Sequence, residues 1–306
     1  VFAITSDNCG KNMKSAFTYE RAGSPAEAVA LLAKHGPDAM IWAGGTDMTL
    51  QWQQEKVSPT VCIDIRDISE LDYIEIDNSG IRIGAMASLA SLERSADRHH
   101  ILTMLSDITK LMATPQTRTL ATVGGNLCNA SPAADLSPAF VALDATVKIF
   151  SALGARKVSM LDFFKGVNKT EVGPAELLEE VFIPLPDDGD VQASYKRIDR
   201  TVVDIALVNG SAAVTVGSDG VISKVGLGLG AVAPIILNAP DASAALEGLK
   251  LSDVTREKLA KVAAIAAKHA KPITDVRASA GYRQDMVEIM LRRSLEDSIS
   301  KHGGTL

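Results

Sequence analysis

Two short segments of this chain hold residues whose types and spacing could do chemistry. One is Ile41-Trp42-Ala43-Gly44-Gly45-Thr46-Asp47-Met48. The other is Thr122-Val123-Gly124-Gly125-Asn126, which runs on through Ala130-Ser131-Pro132-Ala133-Ala134-Asp135. Each sets a Gly-Gly pair after an apolar run and before a hydroxyl or amide side chain. Glycine lets the main chain approach an anion without a Cβ in the way, and successive N–H groups can then point at it. A single Gly-Gly turn is as readily a tight structural turn. Two in one chain, each with an adjacent polar side chain, suit a pyrophosphate, and so a dinucleotide cofactor held between two loops. Neither segment is a Rossmann fingerprint, since no Gly-x-Gly-x-x-Gly opens a helix, and neither is a phosphate loop ending in Gly-Lys-Ser/Thr.

Other candidates leave two readings open. Asp135 could cap a helix beginning at Leu136, or could accept from sugar or ribityl hydroxyls. Lys196, beside Tyr195, could reach solvent or place a cation near a redox ring that gains negative charge. Gly226-Leu227-Gly228-Leu229-Gly230 looks like a nucleotide loop, but its spacing is wrong and Pro234 follows. A strand with bulges or close backbone packing fits it better. The five histidines have no metal-ligand spacing; His99 and His100 should point apart on the surface of a helix. Glu176, Glu179 and Glu180 read as a solvated run flanking a strand, and Trp42 as core. No catalytic side-chain constellation and no metal site emerges.

These residues need elements to position them. Ser24-Pro25-Ala26-Glu27 reads as a capped helix start, with Gly36 as its stop. Residues 39–43 form a strand that delivers Gly44-Gly45, a helix follows over 46–54, and a second strand spans 61–65. A hairpin turn at Asp77-Asn78-Ser79-Gly80 opens a second unit, with helices near 88–96 and 100–112 and a break at Pro115. Residues 122–135 lack a pattern and read as a long functional loop. Strands are expected at 147–149 and 180–183, then at 195–197, 205–216 and 221–229, and helices near 242–248, 253–269 and 279–299. Strands followed by helices suggest a compact α+β unit at the C-terminal end. The polar stretch 185–191 marks a boundary, giving an arm at 1–14, a domain at 15–190 (subdomains about 15–70 and 71–190) and a second domain at 191–306.

Composition narrows the classes. The chain has 306 residues, 46% of them hydrophobic, enough for two domains with sizeable cores. A net charge of −6 without basic clusters argues against nucleic-acid binding. No apolar run reaches the roughly 18 residues needed to span a bilayer. Three well-separated cysteines (Cys9, Cys62, Cys128) fit a reduced, cytoplasmic protein and cannot supply a four-cysteine iron–sulfur site.

The two glycine segments closely resemble those of the FAD-binding medium subunits of molybdenum hydroxylases, the family of the xanthine, carbon monoxide and nicotinate dehydrogenase flavoproteins. Gln116-Thr117-Arg118, Leu161-Asp162-Phe163-Phe164-Lys165-Gly166, Ile183-Pro184 and Asp275-Val276-Arg277-Ala278-Ser279-Ala280-Gly281-Tyr282-Arg283 extend the match. Thr119 and Trp42 depart from the usual residues, and the cysteine count rules against relatives with an extra cluster.

The resemblance implies an α+β chain: a vanillyl-alcohol-oxidase-type FAD domain of two α/β subdomains, then a smaller α+β domain. It implies that Ile41 to Met48 and Thr122, Gly124, Gly125 and Asn126 hold the FAD pyrophosphate, and that Asp135, Lys196, Ala113 and Leu178 also contact FAD. It further implies a small partner with two 2Fe–2S clusters and a large partner with the molybdopterin cofactor, assembled as a dimer of heterotrimers. This chain would then take electrons onto FAD and pass them to an external acceptor, without binding the organic substrate. A free-standing FAD oxidoreductase of the same fold, or a scaffold subunit without cofactor, are the alternatives.

Overall fold

The structure, a computed structural model, describes residues 17–201, 203–304 and 306. The N-terminal arm expected at 1–14, and Cys9 within it, lie outside the described residues.

The first sheet is parallel, with strands Thr18–Arg21, Val61–Asp64 and Ala39–Trp42 side by side in that order. Its central strand, Val61–Asp64, is wholly buried. Helix Pro25–His35 starts as its sequence dictates. Ser24 Oγ accepts from Glu27 N at 3.2 Å, and the Glu27 carboxylate accepts from Gly23 N at 2.8 Å. Gly36 ends it at φ +67°. Strand Ala39–Trp42 then points its C-terminal end at Gly44-Gly45, and helix Met48–Gln53 follows.

The second sheet is antiparallel throughout. Its order is Ile74–Asp77, Gly80–Gly84, Glu176–Pro184, Thr146–Ser151, Gly154–Ser159. Ile81, Ile83, Val147, Ile149, Val181 and Ile183 form a core with residues of helices Leu89–Arg94, His100–Lys110, Val123–Asn129 and Leu136–Ala142. Glu176 and Glu180 are not flanking and solvated. They lie in the central strand with Glu179, and all three carboxylates are partnered: Arg156 bonds Glu176 at 2.7 Å, Lys148 bonds Glu179 at 2.7 Å and the Tyr73 hydroxyl bonds Glu180 at 2.7 Å.

The break expected at Pro115 is present: helix His100–Lys110 has ended, and Pro115 opens the next helix, Pro115–Leu120, capped by Thr114. Two further expectations fail locally. Residues 122–135 are not one loop, because helix Val123–Asn129 occupies their first half. Thr122 caps it by accepting from Gly125 N at 3.0 Å, and Ala130 ends it at φ +47°. Glycine and asparagine carry weak helical propensity, so the cap was the only local signal. His99 and His100 do not point apart. Their rings stack with centroids 4.2 Å apart, and both are half-buried.

The C-terminal part is an antiparallel meander of Asp190–Ile198, Val208–Val216 and Ile222–Gly230. Helix Ala280–Lys301 covers one face, where Ser294 and Ser298 donate to the carbonyls of Gly210 and Ala212, each at 3.0 Å. Helix Leu136–Ala142 approaches the meander from the first part. A Cβ on Gly226 would stand 1.8 Å from the Ala142 carbonyl oxygen, and one on Gly228 would stand 2.0 Å from that of Pro138. The glycine run is thus a strand that another backbone approaches closely. Overall the chain is α+β, as expected.

Candidate functional site

A cleft of about 730 Å³ opens between the parallel sheet and the antiparallel one. That size is typical of small-molecule sites. Its walls include Ile41, Ala43, Gly44, Gly45, Thr46, Asp47 and Met48 from the first glycine segment. Thr122, Gly124, Gly125 and Asn126 come from the second, and Leu178 from the central strand of the antiparallel sheet. Folding therefore brings together the two segments that sequence placed about eighty residues apart.

The two turns contribute differently. In the first, the N–H groups of Gly44, Gly45, Thr46 and Asp47 meet no protein acceptor among the described residues. Gly45 lies at φ +69°, where a Cβ would also strike the Trp42 ring at 2.8 Å. Consecutive free N–H groups bent through a left-handed residue make an anion-binding concavity. In the second turn the donors are already used. Val123 N and Gly124 N donate to the carbonyls of Ala87 and Ala85, at 2.9 and 2.8 Å. Gly125 N donates to Thr122 Oγ1 and Asn126 N to the Thr122 carbonyl at 2.9 Å. What the second turn leaves open is a side chain: Asn126 Oδ1 is buried without a partner among the described residues. It can accept from a ligand hydroxyl. Four free donors on one wall and an unpaired acceptor on the other fit a pyrophosphate ester of a polyol.

Most of the glycines serve the protein rather than an open approach. A Cβ on Gly44 would stand 1.9 Å from the Leu120 carbonyl oxygen, and one on Gly124 would stand 2.7 Å from Ala85. Gly125 would meet only Thr122 Oγ1, at 2.8 Å.

Asp47 and Cys128 line the cleft, and its walls desolvate the Asp47 carboxyl and push its pKa up. Gln51, Lys56 and Asn129 also line the cleft and were missed in the sequence reading. The pattern that marks Gln51 is its place on the helix after the first turn. Asn129 had no signal while 122–135 read as loop.

Four expected site residues do not line the cleft. Trp42 lies behind the first turn. Ala113, at φ +46°, gives its carbonyl to Arg118 at 3.0 Å; the nearly buried guanidinium also bonds the Met112 carbonyl at 2.9 Å and Glu93 at 2.8 Å. Asp135 stands at a helix start but caps nothing. It is buried, receiving the Tyr195 hydroxyl and Arg197 Nη1 at 3.0 Å. Burial pushes its carboxyl up against the opposing pull of those two partners. Lys196 is directed elsewhere, to Asp297 at 3.1 Å. Strand alternation explains the split: Tyr195 and Arg197 meet Asp135 on one face, while Ser194 and Lys196 meet Asp297 of helix Ala280–Lys301 on the other.

A donor-lined cleft at the C-terminal end of a small parallel sheet has the size and chemistry that suit an anionic, dinucleotide-sized ligand. Comparison with known proteins makes this specific. The family described as "FAD binding domain in molybdopterin dehydrogenase" matches residues 15–186. "CO dehydrogenase flavoprotein C-terminal domain" matches residues 193–298. The carbon monoxide dehydrogenase medium chain of Afipia carboxidovorans is 34% identical over 280 residues, spanning 92% of this chain and 96% of that one. The nicotinate dehydrogenase FAD-subunit of Eubacterium barkeri is 33% identical over 227 residues, spanning 73% and 76%. Reconstituted CO dehydrogenase from Oligotropha carboxidovorans matches in structure with a TM-score of 0.87 and 32% identity, over 94% of this chain and 99% of that one. Quinoline 2-oxidoreductase from Pseudomonas putida 86 matches with a TM-score of 0.85 and 26% identity, over 95% and 99%. The chain belongs to the family of FAD-binding flavoprotein subunits of molybdenum-dependent dehydrogenases. No helix among the described residues is long and apolar enough to cross a membrane.

Proposed function

We propose that this chain carries FAD in the cleft and serves as the electron-transfer subunit of a multi-subunit molybdenum-dependent dehydrogenase. The observation that carries this reading is the row of free N–H groups from Gly44 to Asp47, set across one cleft from Asn126. Gly44 to Asp47 would hold the pyrophosphate, and Thr122 and Asn126 would take hydroxyls from the opposite wall. Leu178 and Ile41 supply apolar surface. FAD held there would supply the redox chemistry.

The remaining assignments extend that proposal along the lines the family resemblance suggests. Electrons come from the 2Fe–2S clusters of a small partner, after a large molybdopterin-bearing partner has oxidised the organic substrate. An external acceptor then takes them. The assembly is a dimer of heterotrimers in the cytoplasm. The chain divides into an FAD-binding domain at 15–190 and a second domain at 191–306. The end of one sheet at Pro184 and the start of the next at Asp190 support that boundary.

The test is flavin content and reduction of the full chain. One FAD per chain is expected, reduced by dithionite but not by candidate organic substrates until the partner subunits are added. A chain that retains no FAD under any condition would be a scaffold subunit. Bleaching of the isolated chain by an organic substrate would make it a free-standing oxidoreductase.

A further inference from the structure

The two glycine turns are joined at two places. At the near end, Gly44 lies against the Leu120 carbonyl. At the far end the link is a single side-chain bond, Gln51 Nε2 donating to Asn129 Oδ1 at 3.0 Å. Gln51 is on helix Met48–Gln53, which leaves the first turn, and Asn129 is the last residue of helix Val123–Asn129, which leaves the second. Both side chains line the cleft. Neither has another side-chain partner among the described residues, so the bond is not one edge of a larger network.

Helices of six and seven residues cannot hold an orientation through their own few bonds. Their direction must come from outside contacts. The near-end contact is a steric pivot, since it forbids closer approach at Gly44 but does not prevent the helices from splaying. The far-end amide bond opposes that splaying. The donors on Gly44 to Asp47 and the acceptor on Asn126 belong to opposite walls, so the angle between the helices sets their separation.

We propose that the Gln51–Asn129 bond is a clasp that fixes the width of the cleft, and that these two amides are positioning residues for the cofactor's pyrophosphate. The inference rests on the assignment of FAD to this cleft. Its effect falls on cofactor release, because a splayed cleft loses one wall's contacts with the ligand while keeping the other's.

The experiment uses the full chain, stripped of flavin, with Gln51→Leu, Asn129→Leu and the double variant. FAD titration by fluorescence quenching gives Kd, and dilution into excess competitor gives the release rate. Each single variant should raise Kd about 3- to 10-fold, the size of one neutral hydrogen bond, with the change in the release rate. The double variant should lose no more than the worse single one, because both remove the same bond. Unchanged Kd in both singles, or losses that multiply in the double variant, would overturn the clasp. Gln51→Ala and Asn129→Ala, which add no bulk to the cleft, repeat the test if the leucine variants do not fold. A parent chain that binds no FAD strikes the cofactor assignment itself. A parent that binds normally beside unaffected variants strikes only the clasp.

Discussion

The carbonyl oxygen of Leu120 stands 1.9 Å from where a Cβ of Gly44 would be, so the two glycine turns touch through bare backbone. Gly44 is needed by the protein before any cofactor arrives. Gly44→Ala should therefore cost about 3 kcal/mol of apo-protein stability through forced backbone displacement, as overpacking does, and should abolish FAD retention. Gly125→Ala is different in kind. Its Cβ meets only the capping hydroxyl of Thr122, and alanine favours the helix by about 1 kcal/mol. That variant should keep its melting temperature and lose less cofactor. Melting curves with and without FAD, and the flavin-to-protein ratio after gel filtration, check the pair. Unchanged melting of both apo-proteins with equal loss of flavin would show that both glycines act on the ligand alone.

Arg197 holds a buried charge in place. Its side chain is 3% exposed and bonds Asp135 at 3.0 Å and Asp199 at 2.6 Å. Arg197→Met strands the Asp135 carboxylate and should destabilise the chain by about 3–5 kcal/mol. Adding Asp135→Asn to that background should recover at least half of the loss, since a neutral amide tolerates the same burial. Urea unfolding of the single and double variants measures this. A double variant no better than the single would place the cost in lost packing rather than stranded charge.

Much of the site could be read from the sequence because it depends on local rules. Ser24, Pro25 and Glu27 start a helix, Asn78-Ser79-Gly80 turns a hairpin, and the apolar run before Gly44 is a strand. The second turn could not be read that way. Val123–Asn129 contains two glycines and two asparagines, so its helix depends on the Thr122 cap and on tertiary bonds to Ala85 and Ala87. Those partners lie nearly forty residues upstream, beyond any local pattern. The same blindness hid Asn129, and with it the bond it receives from Gln51. The facing of Lys196 was equally out of reach. Strand alternation predicts that neighbours face oppositely, but which face meets Asp135 is settled only by how the two parts pack.

Lys196 gives a discriminating test. Its ammonium is 3.1 Å from Asp297 and half-exposed, on the face of the meander opposite Asp135. A half-exposed pair of this kind contributes about 0–1 kcal/mol. Lys196→Met should therefore lower stability by no more than that, and should leave both FAD affinity and the flavin midpoint potential at the parent's values. Potentiometric titration of the two proteins decides. A midpoint that falls in the variant would put the lysine's charge at the flavin, as the family resemblance implies, and would require a rearrangement that frees it from Asp297.

His99 makes the chain's stability depend on pH. It caps helix His100–Lys110 by accepting from Ile101 N on Nδ1 at 3.2 Å, which only an unprotonated nitrogen can do. Burial lowers its pKa, and the stacked His100 ring lowers it further, against a smaller opposing pull from Asp190. With the folded pKa below the unfolded value, the unfolded chain binds the proton more readily. The cap's contribution is thus complete above the unfolded pKa of about 6.5 and is lost as pH falls from there through the folded pKa. Losing an N-cap costs about 1 kcal/mol. His99→Asn supplies a cap that does not titrate. The variant should match or exceed the parent below pH 6 and show a flatter stability profile between pH 7 and 5. Urea midpoints taken at intervals across that range, for parent and variant, provide the measurement. Parallel profiles would show that the pH dependence does not come from the His99 cap.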